Sequence, residues 1–184
     1  INYFFKMIVF KRLGFLGRTG NQLFQIAATI VHAKKMGTKA QFNKWEYNYF
    51  FEHPIDDNLD MTYDDMFDGM QHEIVNHTQF HYKPLPDNAN LLLFGYFQSE
   101  KYFEQYKDLI LYHFKPKYEY TKFIELPNEH FLKQDNITSV HVRRGDYLLR
   151  PDYYNNLSES SYYGDAMAYI LEKHPDAQFV FHSD

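Results

Sequence analysis

Two neighbouring arginines, Arg143 and Arg144, follow a short apolar segment and stand just before a Gly-Asp pair. Because side chains alternate along a strand, His141 and Arg143 would project from the same face of that segment. In an open α/β sheet, ligands bind beyond the carboxyl ends of the strands, and guanidinium groups grip phosphate oxygens in bidentate fashion. The segment therefore predicts a diphosphate site. The alternative is a surface cluster in which Asp146 pairs with an arginine.

A glycine-rich segment near the N-terminus is the second candidate site. Glycine lets the backbone approach a ligand closely, and the N-terminus of a helix favours anions. The pattern is neither a P-loop nor a dinucleotide-binding fingerprint, and an ordinary turn with Asn21 as the N-cap explains it about as well. The candidate ligand-binding residues here are Gly17, Arg18, Gly20, Asn21 and Gln22.

An acidic stretch contains two copies of a DDxxD pattern, Asp56–Asp60 and Asp64–Asp68. Carboxylates suit Mg²⁺, and prenyl-chain enzymes use this pattern to bind magnesium–diphosphate. Those enzymes, however, are large all-helical proteins with the two copies on well-separated helices. We therefore prefer a solvated acidic loop. The ten histidines show no metal-ligand spacing, and His77 is expected at the surface. The sequence thus predicts no metal site.

The elements that would position the glycine-rich segment open the chain. Residues Met7–Leu13 are rich in β-branched and aromatic side chains, which favours a strand. Apolar residues recur at helical spacing over Asn21–Met36, and Gly37 is placed to end that helix. Strand, glycine turn and helix are the opening of a Rossmann-like α/β unit. Farther along, we expect a strand over Leu91–Phe94 and a helix over Ser99–Leu111.

The elements that would position the paired arginines lie in the last third of the chain. Strand, helix and strand are expected there in order, over Ile137–Arg143, Ser161–His174 and Phe179–Phe181. That order makes a parallel βαβ unit. We place a domain boundary near Asp135, which gives a Rossmann-like N-terminal domain of residues 7–135 and the beginning of a second domain at residues 136–184.

Composition excludes several function classes. The chain has 184 residues, of which 45% are hydrophobic and 20% aromatic, and its net charge is −5 with histidine neutral. Such a charge gives no overall field that attracts nucleic acid, and no run reaches the roughly 18 apolar residues of a membrane span. The absence of cysteine fits a reducing compartment. We therefore expect a cytoplasmic protein that binds no nucleic acid and carries no integral membrane segment.

Three segments occur in a fixed order along the chain. They read Gly-Arg-Thr-Gly-Asn-Gln-Leu-Phe-Gln-Ile-Ala at 17–27, Gly-Tyr-Phe-Gln-Ser-Glu-Lys-Tyr-Phe at 95–103 and His-Val-Arg-Arg-Gly-Asp-Tyr at 141–147. Together they resemble the α-1,2-fucosyltransferases. The resemblance implies a GT-B architecture of two Rossmann-like domains. It also implies inverting transfer of L-fucose from GDP-fucose to the 2-hydroxyl of a terminal galactoside on a glycan, with no cofactor and no essential metal.

The resemblance further implies roles for individual residues. Arg143 would bind the β-phosphate of the donor, while Arg144 and Asp146 would hold the loop; Asp146 is also a candidate general base for the acceptor hydroxyl. His141 would lie beside the donor nucleotide, and residues 17–22 would face it across the cleft.

Other interpretations stay open. The family continues beyond the point that corresponds to Asp184, so we expect this chain to be truncated and inactive alone, with Met7 as the natural start. A shortened protein could instead bind a nucleotide or a glycan without catalysis. A protein O-fucosyltransferase, which shares the Gly-Arg-x-Gly-Asn-Gln segment, is a third interpretation, and the segment Gln98–Glu100 argues against it.

Overall fold

The computed structural model describes residues 6–10, 12–59, 73–77, 81–149, 151–152 and 154–183. The chain divides into two compact units, Ile1–Thr121 and Lys122–Asp184, which we call unit 1 and unit 2. The domain boundary expected near Asp135 stays a prediction. Across the described ranges, no helix is both long enough and apolar enough to span a membrane.

Unit 1 is built on a parallel sheet of four strands in the order β2-β1-β4-β3. The strands are β1 (Met7–Phe10), β2 (Lys39–Phe42), β3 (Glu73–His77) and β4 (Leu91–Gly95). Helix α1 (Thr19–Lys35) connects β1 to β2, in the strand, glycine turn and helix order that the sequence predicts. Because every pairing is parallel, the carboxyl ends of the strands all lie at one edge of the sheet.

Strand β1 is buried on both faces, as expected for the interior of a parallel sheet. Ile8 and Phe10 pack in the main cluster with Ile26 of α1. Val9 points to the opposite face, where it packs with Leu59. Full burial of one such side chain stabilises the fold by about 1.5–3 kcal/mol, so β1 is a rigid base for the loop that follows it.

Strand β1 lies between β2 and β4 in this sheet. Helix α1 carries the chain from β1 to β2 on one side of β1, whereas β4 lies on the other side. The loops that follow β1 and β4 therefore leave the sheet next to each other, which is where open α/β sheets bind ligands. The rings of Phe10 and Phe97 meet edge to face here, with centroids 6.1 Å apart.

The helix expected over Ser99–Leu111 is wrong in its first half. Its place is taken by two 3-10 turns and a shorter helix: Glu100–Tyr102, Glu104–Tyr106 and α2 (Lys107–His113). Between the turns, Phe103 takes a φ of −141°, and its ring packs on Phe24 of α1 with centroids 5.7 Å apart. Tertiary packing of this aromatic side chain therefore overrides the helical spacing of the segment.

Helix α3 (Tyr118–Leu132) contains the point in the sequence where unit 1 ends and unit 2 begins. The sequence does not predict it, because Pro127 lies inside and proline has no N–H to donate to the helix. One turn of the helix gains a side-chain bond instead, since the amide of Asn128 donates to the carbonyl of Ile124 at 2.8 Å.

Unit 2 contains two parallel strands, β5 (Ile137–Val142) and β6 (Gln178–Ser183). A single helical turn, α4 (Gly145–Leu148), follows β5, and helix α5 (Tyr162–Lys173) leads to β6. The parallel βαβ order is confirmed, and so is the mixed α/β class with parallel sheets. None of the side chains described in residues 122–183 is buried.

Candidate active site

Buried carboxamide side chains hold the loop that follows β1. Asn43, the first residue after β2, accepts the backbone N–H of Leu13 at 2.9 Å and donates to the carbonyl of Leu13 at 2.8 Å. Gln25 of α1 donates from Nε2 to the carbonyl of Leu16 at 2.9 Å. These bonds satisfy backbone groups in an irregular segment, so they fix the conformation of the loop.

The side chain of Gln22, a predicted ligand-binding residue, is used inside unit 1. It is buried, and its Nε2 donates to the carbonyl of Gly17 at 3.1 Å. Its Oε1 accepts the indole N–H of Trp45 at 2.7 Å. Both ends of the amide are therefore engaged within the protein, and Gln22 positions the glycine-rich loop.

The other predicted residues of this loop lie nearer its surface. Gly17 has a φ of +76°, and a Cβ there would lie 2.6 Å from the Cβ of Asn21, so the position requires glycine. Arg18 is the N-cap of α1, and Oδ1 of Asn21 accepts the backbone N–H of Arg18 at 3.1 Å. The interpretation of Asn21 as the N-cap is therefore wrong. Gly17, Arg18 and Gly20 are exposed at the positive end of this helix, an arrangement that can hold an anion.

The loop that follows β4 depends on two unusual backbone positions. Gly95 has a φ of +138°, and a Cβ there would lie 2.2 Å from the carbonyl oxygen of His77. The backbones of β3 and β4 thus approach where only glycine fits. Phe97 is buried and takes a φ of +51°, a region that a bulky residue rarely adopts. The Gly-Tyr-Phe motif therefore fixes the backbone of the loop that follows β4.

His77 is buried rather than exposed, so the expectation of a surface histidine is wrong. Its Nδ1 lies 3.1 Å from the hydroxyl oxygen of Tyr102. That hydroxyl donates to the carbonyl of Lys83 at 2.9 Å and accepts the N–H of Lys83 at 3.1 Å. Burial lowers the pKa of His77 and raises the pKa of Tyr102.

In unit 2, two histidines lie side by side toward the carboxyl end of the strand pair. His141 and His182 are partners in the parallel register, and their rings stack with centroids 5.0 Å apart and planes 10° apart. The Oγ of Ser139 lies 3.5 Å from Nδ1 of His182. The hydroxyl of Tyr163 donates to the carbonyl of His141 at 3.2 Å. Both imidazole rings are exposed, and imidazole N–H groups can donate to phosphate oxygens.

Arg143 follows β5 directly and is half-buried. Its guanidinium carbon lies 5.0 Å from the ring centroid of Tyr147, a cation–π contact that restrains the side chain. Tyr147 in turn stacks on Tyr154, with centroids 4.0 Å apart. Arg144 is exposed and is the N-cap of α4, the helical turn that contains Asp146.

A pocket of 360 Å³ lies beside these residues within unit 2. Its walls come mainly from β5 and α5 and include His141, Arg143 and Tyr163. Small-molecule sites have volumes of about 300–1,000 Å³, so the space is large enough for part of a nucleotide sugar. The structure thus brings the predicted residues His141 and Arg143 to one pocket, whereas the predicted residues 17–22 belong to unit 1.

The acidic stretch takes part in local structure where it is described. Oδ2 of Asp57 accepts the backbone N–H of Trp45 at 3.0 Å, and Oδ1 of Asp56 accepts from the side-chain amide of Asn58 at 3.0 Å. The second DDxxD copy, Asp64–Asp68, lies outside the described residues. Within the described ranges, no three His, Cys, Asp or Glu side chains come together in a group that could hold a metal ion.

A family model covers most of this chain. The model described as Glycosyl transferase family 11 matches residues 15–184. The chain belongs to glycosyl transferase family 11. The members are α-fucosyltransferases, so the resemblance to fucosyltransferases is confirmed. Comparisons with curated proteins and with solved structures give no match.

Sequence reasoning misses several residues that build these loops of the family 11 chain. Asn43, Trp45 and Gln25 fix the glycine-rich loop, and His182 stacks on His141. Gln25 stands three residues after Gln22, so the two side chains share one face of α1. That spacing is a sequence signal from which the role of Gln25 could have been predicted. Asn43 and Trp45 come from a stretch without hydrophobic period, which offers no such signal.

Proposed function

We propose that this protein transfers L-fucose from GDP-fucose to the 2-hydroxyl of a terminal galactose on a glycan. The transfer inverts the configuration at C1 of fucose and needs no essential metal. Family membership supports fucose transfer. The observation that carries the donor assignment is Arg143, a cation restrained over the Tyr147 ring just beyond β5. A GT-B architecture and a cytoplasmic location belong to the same proposal.

Arg143 is the residue to which we assign stabilisation of the leaving group. As the bond between C1 of fucose and the diphosphate oxygen breaks, negative charge grows on the diphosphate. A guanidinium already in place binds that charge more strongly in the transition state than in the ground state, and this difference accelerates the reaction. The contact with Tyr147 limits the motion of Arg143, so little reorganisation is needed.

The remaining steps use the acceptor and neighbouring residues. The acceptor oxygen attacks C1 from the face opposite the diphosphate and forms the new glycosidic bond, while GDP departs with the electron pair of the broken bond. The hydroxyl proton passes to a general base, for which Asp146 in α4 is our candidate. Arg144 and His141 also bind the donor, and the exposed Gly17 and its neighbours are further candidates through their backbone N–H groups.

The proposal is tested by incubating the full-length protein with GDP-fucose and lactose in excess chelator, and determining the product linkage by NMR. We expect fucose α-linked to the 2-hydroxyl of galactose, formed at the same rate with and without chelator. A product linked elsewhere would overturn the acceptor position. Activity that chelator abolishes and Mg²⁺ restores would overturn the metal-free mechanism, and would make Asp56–Asp68 a candidate metal site.

A further inference from the structure

A second pocket, of 570 Å³, lies in unit 1 in the segment that follows β2. Its walls come from residues 44–57 and from Lys117. Two backbone bonds fix these walls, because the N–H of Glu52 donates to the carbonyl of Lys115 and the N–H of Lys117 donates to the carbonyl of Phe50, both at 2.9 Å. Inside the segment, the side-chain amide of Asn48 accepts from the N–H of Ile55 at 2.9 Å and donates to its carbonyl at 3.0 Å. The pocket is therefore preformed.

One wall of the pocket is aromatic. Tyr49 is 55% exposed, and its other side stacks on Phe50 with centroids 4.3 Å apart. Phe50 is itself packed against Tyr120, with centroids 4.5 Å apart. Deeper in the wall, Trp45 and Phe51 stack with centroids 5.6 Å apart and planes 9° apart. The ring of Tyr49 is thus an apolar surface held in a fixed orientation.

Polar groups stand around this aromatic wall. Lys44, Glu46 and Lys117 line the pocket. Within the described ranges, none of these three side chains forms an ion pair or a hydrogen bond. Asp57 also lines the pocket; one of its oxygens accepts from Trp45, and a carboxylate has further acceptor sites. The pocket thus offers donors and acceptors beside an aromatic face.

We propose that this pocket binds a sugar ring of the glycan acceptor. A pyranose has an apolar face of C–H groups that can lie on an aromatic ring and an edge of hydroxyls that both donate and accept hydrogen bonds, which matches the aromatic wall and the mixed polar groups. A nucleoside diphosphate fits less well, because the carboxylates of Glu46 and Asp57 offset the attraction of Lys44 and Lys117 for its charge. The assignment rests on the function proposed above.

The pocket is physically connected to the glycine-rich loop. Trp45 in its wall donates to Gln22, and Gln22 donates to the carbonyl of Gly17. The pocket follows β2 and the loop follows β1, so both lie at the carboxyl edge of the same parallel sheet. An acceptor sugar held here would therefore lie on the side of the sheet where the predicted donor-binding loop begins.

The test measures binding separately from turnover. Lactose is mixed with the full-length protein, and saturation-transfer NMR records which lactose protons contact it. We expect saturation of the galactose protons in the wild type and its loss in Tyr49→Ala, with an increase in the KM for lactose of about tenfold and an unchanged KM for GDP-fucose. Tyr169→Ala is the matched control, because Tyr169 lies in unit 2 and is 56% exposed; it should behave as wild type.

Several outcomes would overturn the assignment. Lactose that receives no saturation from the wild type, or equal saturation from Tyr49→Ala, would show that the pocket is not the sugar site. A raised KM for GDP-fucose in Tyr49→Ala, at an unchanged KM for lactose, would place the nucleotide in this pocket instead. Saturation that depends on Tyr49 in a protein that transfers no fucose would support the pocket and overturn the proposed function instead.

Discussion

Unit 1 and unit 2 present their candidate residues in opposite ways. In unit 1 a four-stranded parallel sheet buries a core, and buried amides such as Gln22 and Asn43 hold the glycine-rich loop. In unit 2 a pair of parallel strands presents Arg143 and Arg144 beyond its end, and none of the side chains described there is buried. Folding and function are therefore coupled in unit 1, whereas in unit 2 a candidate side chain can be changed with little effect on stability.

The buried side chain of Gln25 shows the energetic cost of holding a loop with a buried amide in unit 1. Its side chain is fully buried, and its Nε2 holds Leu16 while its Oε1 has no hydrogen-bond partner within the described part of the chain. Leaving such a group unpaired costs about 1–3 kcal/mol. Burial of a single apolar core side chain such as Leu93 contributes a similar amount of opposite sign. Burial of apolar side chains in unit 1 can therefore offset the cost of a buried amide that holds a loop. Unit 2 has no buried core among its described residues, so it has no such offset.

The largest expected effect is on the free energy of unfolding, which should fall much more for a core substitution in unit 1 than for an exposed substitution in unit 2. Leu93→Ala in β4 should reduce the free energy of unfolding by about 2–5 kcal/mol, because Leu93 is only 1% exposed and its loss leaves a cavity. Leu157→Ala in unit 2 is the matched control; Leu157 is 41% exposed, and the change should stay within about 0.5 kcal/mol. Denaturant unfolding measures both. Equal losses in the two variants would remove the contrast between the units.

A smaller effect is expected where stability and ligand binding meet in unit 1. Gln22→Leu leaves the indole N–H of Trp45 and the carbonyl of Gly17 without their partner, so unfolding should become easier by about 1–3 kcal/mol. The same variant should raise the KM for GDP-fucose, since the glycine-rich loop loses its support. Gln105→Leu changes an exposed glutamine and serves as the control. A destabilised Gln22→Leu variant with an unchanged KM for GDP-fucose would show that the glycine-rich loop does not contribute to donor binding.

The smallest expected effect is a pH dependence of unit 1. Burial lowers the pKa of His32 and of His77 below the ordinary value of 6.5. As the pH falls below that value, the unfolded chain takes up protons that the folded chain does not, so the free energy of unfolding decreases until the lowered folded-state pKa is passed. The stabilising contribution is complete above pH 6.5. Calorimetry should therefore give a lower melting temperature at about pH 5 than at about pH 7.5.

A variant identifies the groups responsible for this pH dependence. The double variant His32→Gln/His77→Gln should show a flatter dependence of melting temperature on pH, because neither glutamine titrates. If the double variant keeps the slope of the wild type, the buried histidines are not its source.

Sequence patterns predict the elements whose local signals agree with their tertiary setting. Strand β1, helix α1 and the βαβ unit from β5 to β6 all combine the right period with clear end signals, so they were predictable. Strands β2 and β3 lie in a stretch without sustained period, and helix α3 contains Pro127. These elements depend on packing or on single side-chain bonds that no local pattern encodes.

The residues of the candidate site also fall into those that the sequence predicts and those that depend on the fold. The common pocket of Arg143 and His141 was predictable, because alternation along one strand places them on one face. Their binding roles stay predictions. The roles of Asn43, Trp45 and Gln22 were not predictable, because each depends on a hydrogen bond between segments brought together only by the fold. A carboxamide in a motif can either bind a ligand or hold the backbone, and its residue type alone does not distinguish the two.

The most direct test of the central claim is the initial rate of fucose transfer and the thermal melting of Arg143→Ala in the full-length protein. We predict a loss in turnover of roughly 10²–10³-fold, about 3–4 kcal/mol, with an unchanged melting temperature. Arg143→Lys should lose nearly as much, because an ammonium cannot form the bidentate contact. Lys173→Ala, which removes a cation 4.1 Å from the Tyr169 ring in the same unit, should keep the wild-type rate. An Arg143→Ala variant with near wild-type turnover would contradict the account and make Arg144 the candidate, and one that melts far lower would show that Arg143 is structural.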